Sequence, residues 1–189
     1  QVFARAGLEV ASYPYYDAER KEFVKSEMIE AIRSIPSGSP ILLHACCHNP
    51  TGIDPTPEDW KEISTMIAEQ GLLPLFDFAY QGFAQGLVED AMAVRHCLSQ
   101  GHQMLVANSY SKNFGLYGER VGGFYAVTGD AASAEKVGSQ VKRIIRANYS
   151  NPPVHGSRII TMILGSDELQ QEWATELTHM RKRISGMRK

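Results

Sequence analysis

Short apolar runs alternate along this chain with stretches in which apolar residues recur at helical spacing. Each short run is bounded by polar or turn-forming residues, which is the pattern of a buried strand. The predicted strands cover residues 7–13, 41–46, 72–76, 103–108 and 122–127. Apolar residues that recur every three or four positions predict amphipathic helices. The predicted helices cover residues 24–35, 57–67, 91–98, 134–144, 155–164 and 169–184.

Two prolines refine this pattern. Pro57 follows Thr56 and precedes two acidic residues, which is typical of a helix N-terminus with Thr56 as the N-cap. Pro74 lies inside the predicted strand 72–76, and a proline donates no hydrogen bond to a neighbouring strand. Pro74 therefore counts against a central position for that strand.

The alternation of strands and helices predicts an α/β fold with a mostly parallel sheet and helices on both faces. Polar clusters follow three of the predicted strands, at residues 48–50, 77–80 and 109–120. The carboxyl ends of parallel strands lie along one edge of a sheet, where ligands bind. We therefore expect these three clusters, which are far apart in the sequence, to converge on one site.

Composition narrows the possible functions. The chain has 189 residues, of which 43% are hydrophobic and 21% charged, as in an ordinary globular domain. A net charge of −2 gives no electrostatic reason to expect nucleic acid or an anionic membrane as a partner. No apolar run approaches the ~20 residues of a membrane helix. Two of the three cysteines are adjacent, which is a poor disulfide framework, so a reducing cytoplasm is the expected compartment.

Lys112 is the candidate for covalent chemistry. It follows the predicted strand 103–108 and lies in the polar cluster 109–120. In its neutral form, a lysine amine attacks a carbonyl carbon and forms a Schiff base. The alternative is a solvated surface lysine, which is the usual state of an isolated lysine.

The other polar residues of these clusters also have purely structural interpretations. Asp77 could cap a helix, and Tyr80 could be a packed aromatic with a satisfied hydroxyl group. Residues 49–52 could form a plain turn, and Arg120 and Arg146 could be solvated. A zinc site is a further alternative, built from His44, Cys46, Cys47 and His48. This spacing fits no common zinc pattern, so no metal site is expected.

Three segments together carry a resemblance to a known family. They cover residues 44–52, 76–83 and 109–122, and the last contains the lysine followed by Asn-x-Gly-x-Tyr-x-Glu-Arg. In this order they resemble the class I, pyridoxal-phosphate-dependent aspartate and aromatic aminotransferases. The resemblance implies that residues 1–166 form part of the large cofactor-binding domain of that fold. It also implies that residues 167–189 begin a long helix leading to a small domain that is absent from this chain.

The resemblance implies roles for the residues around the cofactor ring. Lys112 would hold pyridoxal phosphate as an aldimine and would later shuttle a proton. Asp77 would pair with the pyridinium nitrogen and so keep the ring an electron sink. Tyr80 and Asn49 would donate hydrogen bonds to the phenolate oxygen of the cofactor.

The same resemblance implies which residues bind the phosphate group and which select the substrate. Ser109 and Arg120 would bind the phosphate group. Arg146 would reach into the active site of a neighbouring subunit and bind the side-chain carboxylate of the substrate, for which a planar guanidinium is suited. Asn49 would also contact the substrate. The expected assembly is a homodimer with shared active sites.

The expected reaction is transamination between an L-amino acid and a 2-oxo acid such as 2-oxoglutarate, with aspartate first and aromatic amino acids next. One alternative is another pyridoxal phosphate enzyme, such as a lyase or a decarboxylase. The other is a non-catalytic, aminotransferase-like module that binds the cofactor.

The chain begins without methionine and ends inside a helical pattern, so we expect an internal piece of a longer protein. Such a piece is expected to bind the cofactor weakly and to transaminate poorly alone.

Overall fold

A computed structural model describes residues 2–187. The strands are β1 Tyr16–Asp17, β2 Glu22–Phe23, β3 Pro40–His44, β4 Leu73–Phe78, β5 Met104–Ser109 and β6 Gly122–Val127. The helices are α1 Val2–Arg5, α2 Lys25–Ser34, α3 Pro57–Gln70, α4 Met92–Ser99, α5 Ala131–Asn148, α6 His155–Leu164 and α7 Asp167–Met187. Short 3₁₀ helices cover Glu89–Ala91 and Tyr117–Glu119. The helices predicted from apolar spacing are therefore all present.

A four-stranded sheet forms the centre of the fold, in the order β3-β4-β5-β6. The pairs β3/β4 and β4/β5 are parallel, and β5/β6 is antiparallel. A helix separates each pair of parallel strands along the chain, whereas β5 and β6 are joined by the lysine segment without an α-helix. A connection of that kind returns the chain antiparallel. The predicted mostly parallel α/β fold is confirmed.

The two faces of this sheet differ in burial. Leu43, Phe76 and Val106 are side by side in the register of β3, β4 and β5, and all three are buried. They belong to one hydrophobic core with side chains of α2, α3 and α4. The neighbouring row is His44, Asp77 and Ala107, and its side chains are half-buried or exposed. Because side chains alternate between the faces of a strand, the polar row lies on the face opposite this core.

The N-terminus of α3 follows the sequence prediction. The Thr56 hydroxyl accepts a hydrogen bond from the Asp59 N–H at 3.2 Å, and the Asp59 carboxylate accepts one from the Thr56 N–H at 2.9 Å. This reciprocal arrangement is a capping box, with Pro57 at the first helical position. Gly71 ends the helix in a left-handed conformation with φ of 65°. The helix that crosses between β3 and β4 is therefore fixed at both ends.

The predicted strand at residues 7–13 is wrong. This segment has no regular structure, and Leu8 and Val10 are largely exposed. Nearby pairing is limited to the two-residue strands β1 and β2, which form a small antiparallel sheet. Apolar alternation alone does not make a strand, because the backbone groups of a strand need a neighbouring strand to bond.

Pro74 was expected to disfavour a central position, yet β4 lies between β3 and β5. The N–H of Leu73 donates to the Ser39 carbonyl on the β3 side at 3.0 Å. Successive residues of a strand direct their hydrogen-bonding groups to opposite neighbours, so the nitrogen of Pro74 faces β5. Pairing between β4 and β5 begins only at Leu75. The N–H that Pro74 lacks would thus lie at the start of the pairing between β4 and β5. For this reason Pro74 is compatible with a central position for β4.

The buried carboxylate of Asp90 shapes the loop that follows β4. One carboxylate oxygen accepts hydrogen bonds from the N–H groups of Gly82 and Ala84, at 2.8 and 3.0 Å. The other accepts from Gln85 and Gly86, at 2.7 and 3.2 Å. Asp90 is only 4% exposed. One side chain therefore replaces the hydrogen bonds that regular secondary structure would give this loop.

The final helix predicted from residue 167 is present as α7, and residues 188 and 189 lie outside the described chain. Its role as a connector to a small domain stays a prediction. No helix within residues 2–187 has the length and apolar character needed to cross a bilayer.

We expect acid to destabilise the fold partly through His102. This residue is buried, its Nε2 lies 2.9 Å from the Ser64 hydroxyl, and burial lowers its pKa below the usual ~6.5. The unfolded chain then binds the proton more tightly, so this contribution to stability is complete above pH ~6.5 and is lost as pH falls through the folded-state pKa. Urea unfolding between pH 7.5 and 5 should show a shallower pH dependence in His102→Gln than in the wild type.

The matched control is His179→Gln on the exposed surface of α7. It should keep the wild-type pH dependence. Equal slopes for His102→Gln and the wild type would show that His102 does not contribute to this dependence.

Replacing Asp90 by asparagine should loosen the loop 82–86. An amide presents one acceptor oxygen where the carboxylate presents two, so at least one pair of these main-chain N–H groups loses its partner. We expect a destabilisation of about 3 kcal/mol in urea unfolding. Amide hydrogen exchange at Gly82, Ala84, Gln85 and Gly86 should also accelerate. Asp167→Asn, at an exposed position, is the control; unchanged exchange in Asp90→Asn would contradict this role.

Candidate active site

Asp77 lies near the carboxyl end of β4, in register with His44 on β3 and Ala107 on β5. Its side chain is half-buried. Within residues 2–187, the Asp77 carboxylate forms no ion pair and no side-chain hydrogen bond. It is part of a strand, which excludes the interpretation as a helix cap. A partly desolvated carboxylate without a protein partner is suited to a cationic ligand group.

Tyr80 and Lys112 meet where β4 and β5 end. The Lys112 Nζ lies 4.7 Å from the centre of the Tyr80 ring, which is within the range of a cation–π contact. Tyr80 also packs at the margin of the hydrophobic core. The two residues are far apart in the sequence, and their contact demonstrates the expected convergence of the clusters at 77–80 and 109–120.

Hydrogen bonds hold the backbone that leads into Lys112. The Ser111 N–H donates to the Ser109 hydroxyl at 3.2 Å, and the Tyr110 N–H donates to the Val121 carbonyl at 3.1 Å. Ser111 and Asn113 are buried, whereas Lys112 itself is half-buried. The loop is therefore anchored next to the lysine, while Lys112 is not fully buried.

Ser109 and Arg120 lie at opposite ends of the lysine loop. Ser109 is the last residue of β5 and pairs in register with Gly122 of β6. A side chain at Gly122 would collide with the Asn108 carbonyl, so the close approach of the two strands requires glycine. Arg120 is exposed, has a left-handed φ of 51°, and donates to the Tyr117 carbonyl at 3.1 Å. Both residues can contribute to anion binding beside Lys112.

The loop that carries Asn49 follows β3 and is organised by Asp54. The Asp54 carboxylate accepts hydrogen bonds from the N–H groups of Cys47 and His48, at 2.6 and 2.8 Å. The Asn49 N–H donates to the Nδ1 of His44 at 3.3 Å, and the peptide bond between Asn49 and Pro50 is cis. The Asn49 side chain is exposed. The third polar cluster is therefore an ordered loop at the end of the strand next to β4.

Three rings pack together next to this loop. The rings of Tyr15 and His48 stack at 3.8 Å, and His44 lies 4.7 Å from His48. Burial, with a smaller effect of His44, lowers the pKa of His48. Burial followed by the charge of Asp54 raises the pKa of the Tyr15 hydroxyl. The neutral forms of His48 and Tyr15 are therefore favoured beside the loop that carries Asn49.

Gln81 joins the loops that carry Tyr80 and Lys112, and sequence reasoning missed it. Its Oε1 accepts from the Nδ2 of Asn108 at 3.1 Å, and its main-chain carbonyl accepts from the Nδ2 of Asn113 at 3.3 Å. Its Nε2 donates to the Leu87 carbonyl at 2.8 Å. The Oδ1 atoms of Asn108 and Asn113 are buried without a partner within residues 2–187. Polar residues at three strand ends were a signal for a site, but nothing in the sequence indicates which of them bond each other.

Arg146 is separate from the other predicted residues. It is exposed on α5, a helix without buried residues in the described chain, and it donates to the Ser150 hydroxyl. No hydrogen bond or ion pair among the described residues joins Arg146 to Asp77 or Lys112. The structure therefore brings together the clusters of Tyr80 and Lys112 but does not bring Arg146 to them.

The zinc interpretation finds no support in the geometry. Although the rings of His44 and His48 are adjacent, no three His, Cys, Asp or Glu side chains among residues 2–187 are placed to share a metal ion.

Comparisons with known proteins agree with this geometry. The chain is 51% identical over 187 residues to an aspartate aminotransferase of Escherichia coli (strain K12), covering 99% of this chain and 47% of that protein. It is 49% identical over 189 residues to a cytoplasmic aspartate aminotransferase of Oryza sativa subsp. japonica, covering 100% of this chain and 46% of that protein. The chain thus spans about half the length of the curated relatives it matches.

Solved structures show the same fold. An aromatic-amino-acid aminotransferase from Burkholderia pseudomallei, covalently bound to pyridoxal phosphate, superposes with a TM-score of 0.97 at 44% identity. The match covers 99% of this chain and 47% of that one. The sequence model of one family, described as aminotransferase class I and II, matches residues 1–189. The predicted resemblance is confirmed, and the chain belongs to the class I and II aminotransferase family.

Proposed function

We propose that the complete protein transfers amino groups between an L-amino acid and a 2-oxo acid with pyridoxal phosphate as cofactor. The observation that carries the proposal is the placement of the Lys112 amine over Tyr80, at the sheet edge where β4 presents Asp77. Aspartate is the first substrate expected and aromatic amino acids come next, paired with an oxo acid such as 2-oxoglutarate. The relatives described above are aspartate and aromatic aminotransferases, which supports this choice over a lyase or a decarboxylase.

The residues at this edge fit the cofactor. The half-buried Asp77 carboxylate has no described partner and can pair with a protonated ring nitrogen. Lys112 provides an amine on an anchored loop, and Ser109 and Arg120 provide a hydroxyl and a guanidinium for the phosphate. When bound, pyridoxal phosphate supplies an aromatic ring that withdraws electrons from the substrate carbon next to the amino group.

Each residue then has a defined task. Asp77 keeps the ring nitrogen protonated by ion pairing, and Tyr80 and Asn49 donate hydrogen bonds to the ring oxygen. Lys112 holds the cofactor through its amine and moves a proton at the substrate carbon, which is general acid–base catalysis. Asn49, exposed at the end of its loop, can also contact the substrate.

Arg146 has a different place in the proposal. Its exposure on α5, away from Lys112, is consistent with a guanidinium that serves the site of a second subunit. We therefore propose a homodimer in which Arg146 binds the side-chain carboxylate of a dicarboxylic substrate. A cytoplasmic location is proposed because the three cysteines are free thiols.

Lys112→Ala should abolish covalent attachment of the cofactor. Borohydride reduction of the complete protein, incubated with pyridoxal phosphate and digested for mass spectrometry, should find the cofactor on the peptide that contains Lys112. The variant should lose this adduct, and kcat should fall by more than about 100-fold because the proton-transfer group is gone. Lys61→Ala, in an exposed part of α3, is the control and should keep the adduct. An adduct on a different lysine would refute the assignment.

Arg146→Gln should reduce the use of dicarboxylic substrates selectively. Loss of a charge-assisted, bidentate contact should lower kcat/KM for aspartate by about 30-fold or more, while kcat/KM for an aromatic amino acid should change little. Steady-state kinetics with both substrates tests this expectation. The neighbouring exposed Arg143→Gln is the matched control. Equal losses for both substrates in Arg146→Gln would count against a role in carboxylate selection.

A further inference from the structure

Helix α7 lies behind both loops that carry Tyr80 and Lys112. Leu177 is the buried residue of this helix in the described chain, and it is only 1% exposed. A side chain at Gly82, two residues after Tyr80, would collide with Leu177, so the helix packs directly on that loop. Trp173 lies four residues earlier on the same face of α7 and therefore points the same way.

Trp173 contacts the two residues that follow Lys112. Its indole N–H donates a hydrogen bond to the Asn113 carbonyl at 2.7 Å. Its ring stacks on Phe114, with 4.3 Å between the ring centres and an angle of 15° between the planes. The main chain next to the lysine is thus fixed by one directional bond and one aromatic contact.

Asn113 is held from the opposite side as well. Its side-chain Nδ2 donates to the Gln81 carbonyl at 3.3 Å, and the residue is 2% exposed. Asn113 therefore bonds to α7 through its carbonyl and to the loop that carries Tyr80 through its side chain. Any shift of Asn113 would move Lys112 relative to Tyr80, because Lys112 and Asn113 share a peptide bond.

We propose that Trp173 is a positioning residue for Lys112. The indole sets the place of the amine through Asn113 and Phe114, without touching the cofactor or the substrate. The role of Trp173 in the reaction rests on the proposed function. Its effect on the position of the Lys112 amine does not depend on that function. Loss of the indole hydrogen bond should loosen the loop and expose the half-buried amine. We expect exposure of the amine to rise about fivefold, because the loss of one neutral hydrogen bond of ~1 kcal/mol changes an equilibrium by this factor.

The variant Trp173→Phe removes the N–H donor and keeps a ring to stack on Phe114. The first measurement is the rate of acetylation of Lys112 in the complete protein without cofactor, followed by peptide mass spectrometry from pH 7 to 10. We expect Lys112 to be acetylated about fivefold faster in the variant, while exposed Lys61 in the same samples keeps its rate. With pyridoxal phosphate bound, the pH midpoint of its visible absorption band should also shift, which a purely structural residue would not cause.

Trp60→Phe is the matched control. Trp60 is a buried tryptophan of α3 that packs on Phe76, and its indole N–H, unlike that of Trp173, donates no hydrogen bond within residues 2–187. This variant should lose stability and leave the acetylation of Lys112 unchanged. Phe114→Leu removes the stacked partner and should raise the acetylation rate in the same direction as Trp173→Phe.

The proposal is overturned if Lys112 is acetylated at the same rate in Trp173→Phe, Trp60→Phe and the wild type. If no cofactor attaches to Lys112, the proposed function fails, but the acetylation rates of the cofactor-free protein still decide whether Trp173 positions the amine.

Discussion

Parallel pairing of β3, β4 and β5 is the constraint on which the candidate site depends. The register places His44, Asp77 and Ala107 side by side, so the loops that follow these strands leave the sheet along one edge. The core on the other face, formed with α2, α3 and α4, fixes this register, because a slip by one residue would turn Phe76 outward and bury the carboxylate of Asp77. The apolar side chains that stabilise the fold therefore also decide where the polar side chains lie.

The pairing brings the loops near each other, but a second layer of contacts is needed to order them. Backbone N–H groups without strand partners are bonded by buried or half-buried side chains in two of the loops, by Asp90 after β4 and by Asp54 after β3. Gln81 then links the β4 loop to the lysine segment. This arrangement lets irregular backbone persist at a sheet edge, where it can contact a ligand, without leaving buried donors unsatisfied.

Much of the fold could be predicted from the sequence because its signals are local. The Thr56–Pro57 helix start and the apolar spacing of the helices depend on neighbours a few residues away. The strand predicted at 7–13 failed because a strand also needs a partner, and Pro74 was misread because its effect depends on which side its nitrogen faces.

The candidate site shows the same difference between local signals, which the sequence contains, and contacts between distant segments, which it does not reveal. Lys112 and Asp77 could be recognised by residue type and position after strands, and through the resemblance. The bonds of Asp90 to main-chain amides and of Trp173 to Asn113 could not, because they join segments whose separation in space is set by the whole fold. The contact between Trp173 and Asn113 spans 60 positions of the chain. Supporting residues of this kind become visible only in three dimensions.

The bonding of Asp90 has a consequence for how this loop can vary among relatives. All its hydrogen bonds there are to peptide nitrogens, so these bonds do not depend on which side chain stands at position 85. A substitution at the exposed Gln85 can change the chemistry of the loop surface while the path of the backbone is retained. Ala84, in contrast, packs against the hydrophobic core. The loop thus combines a backbone path that depends on one acidic residue with freedom of side-chain choice at the exposed position 85.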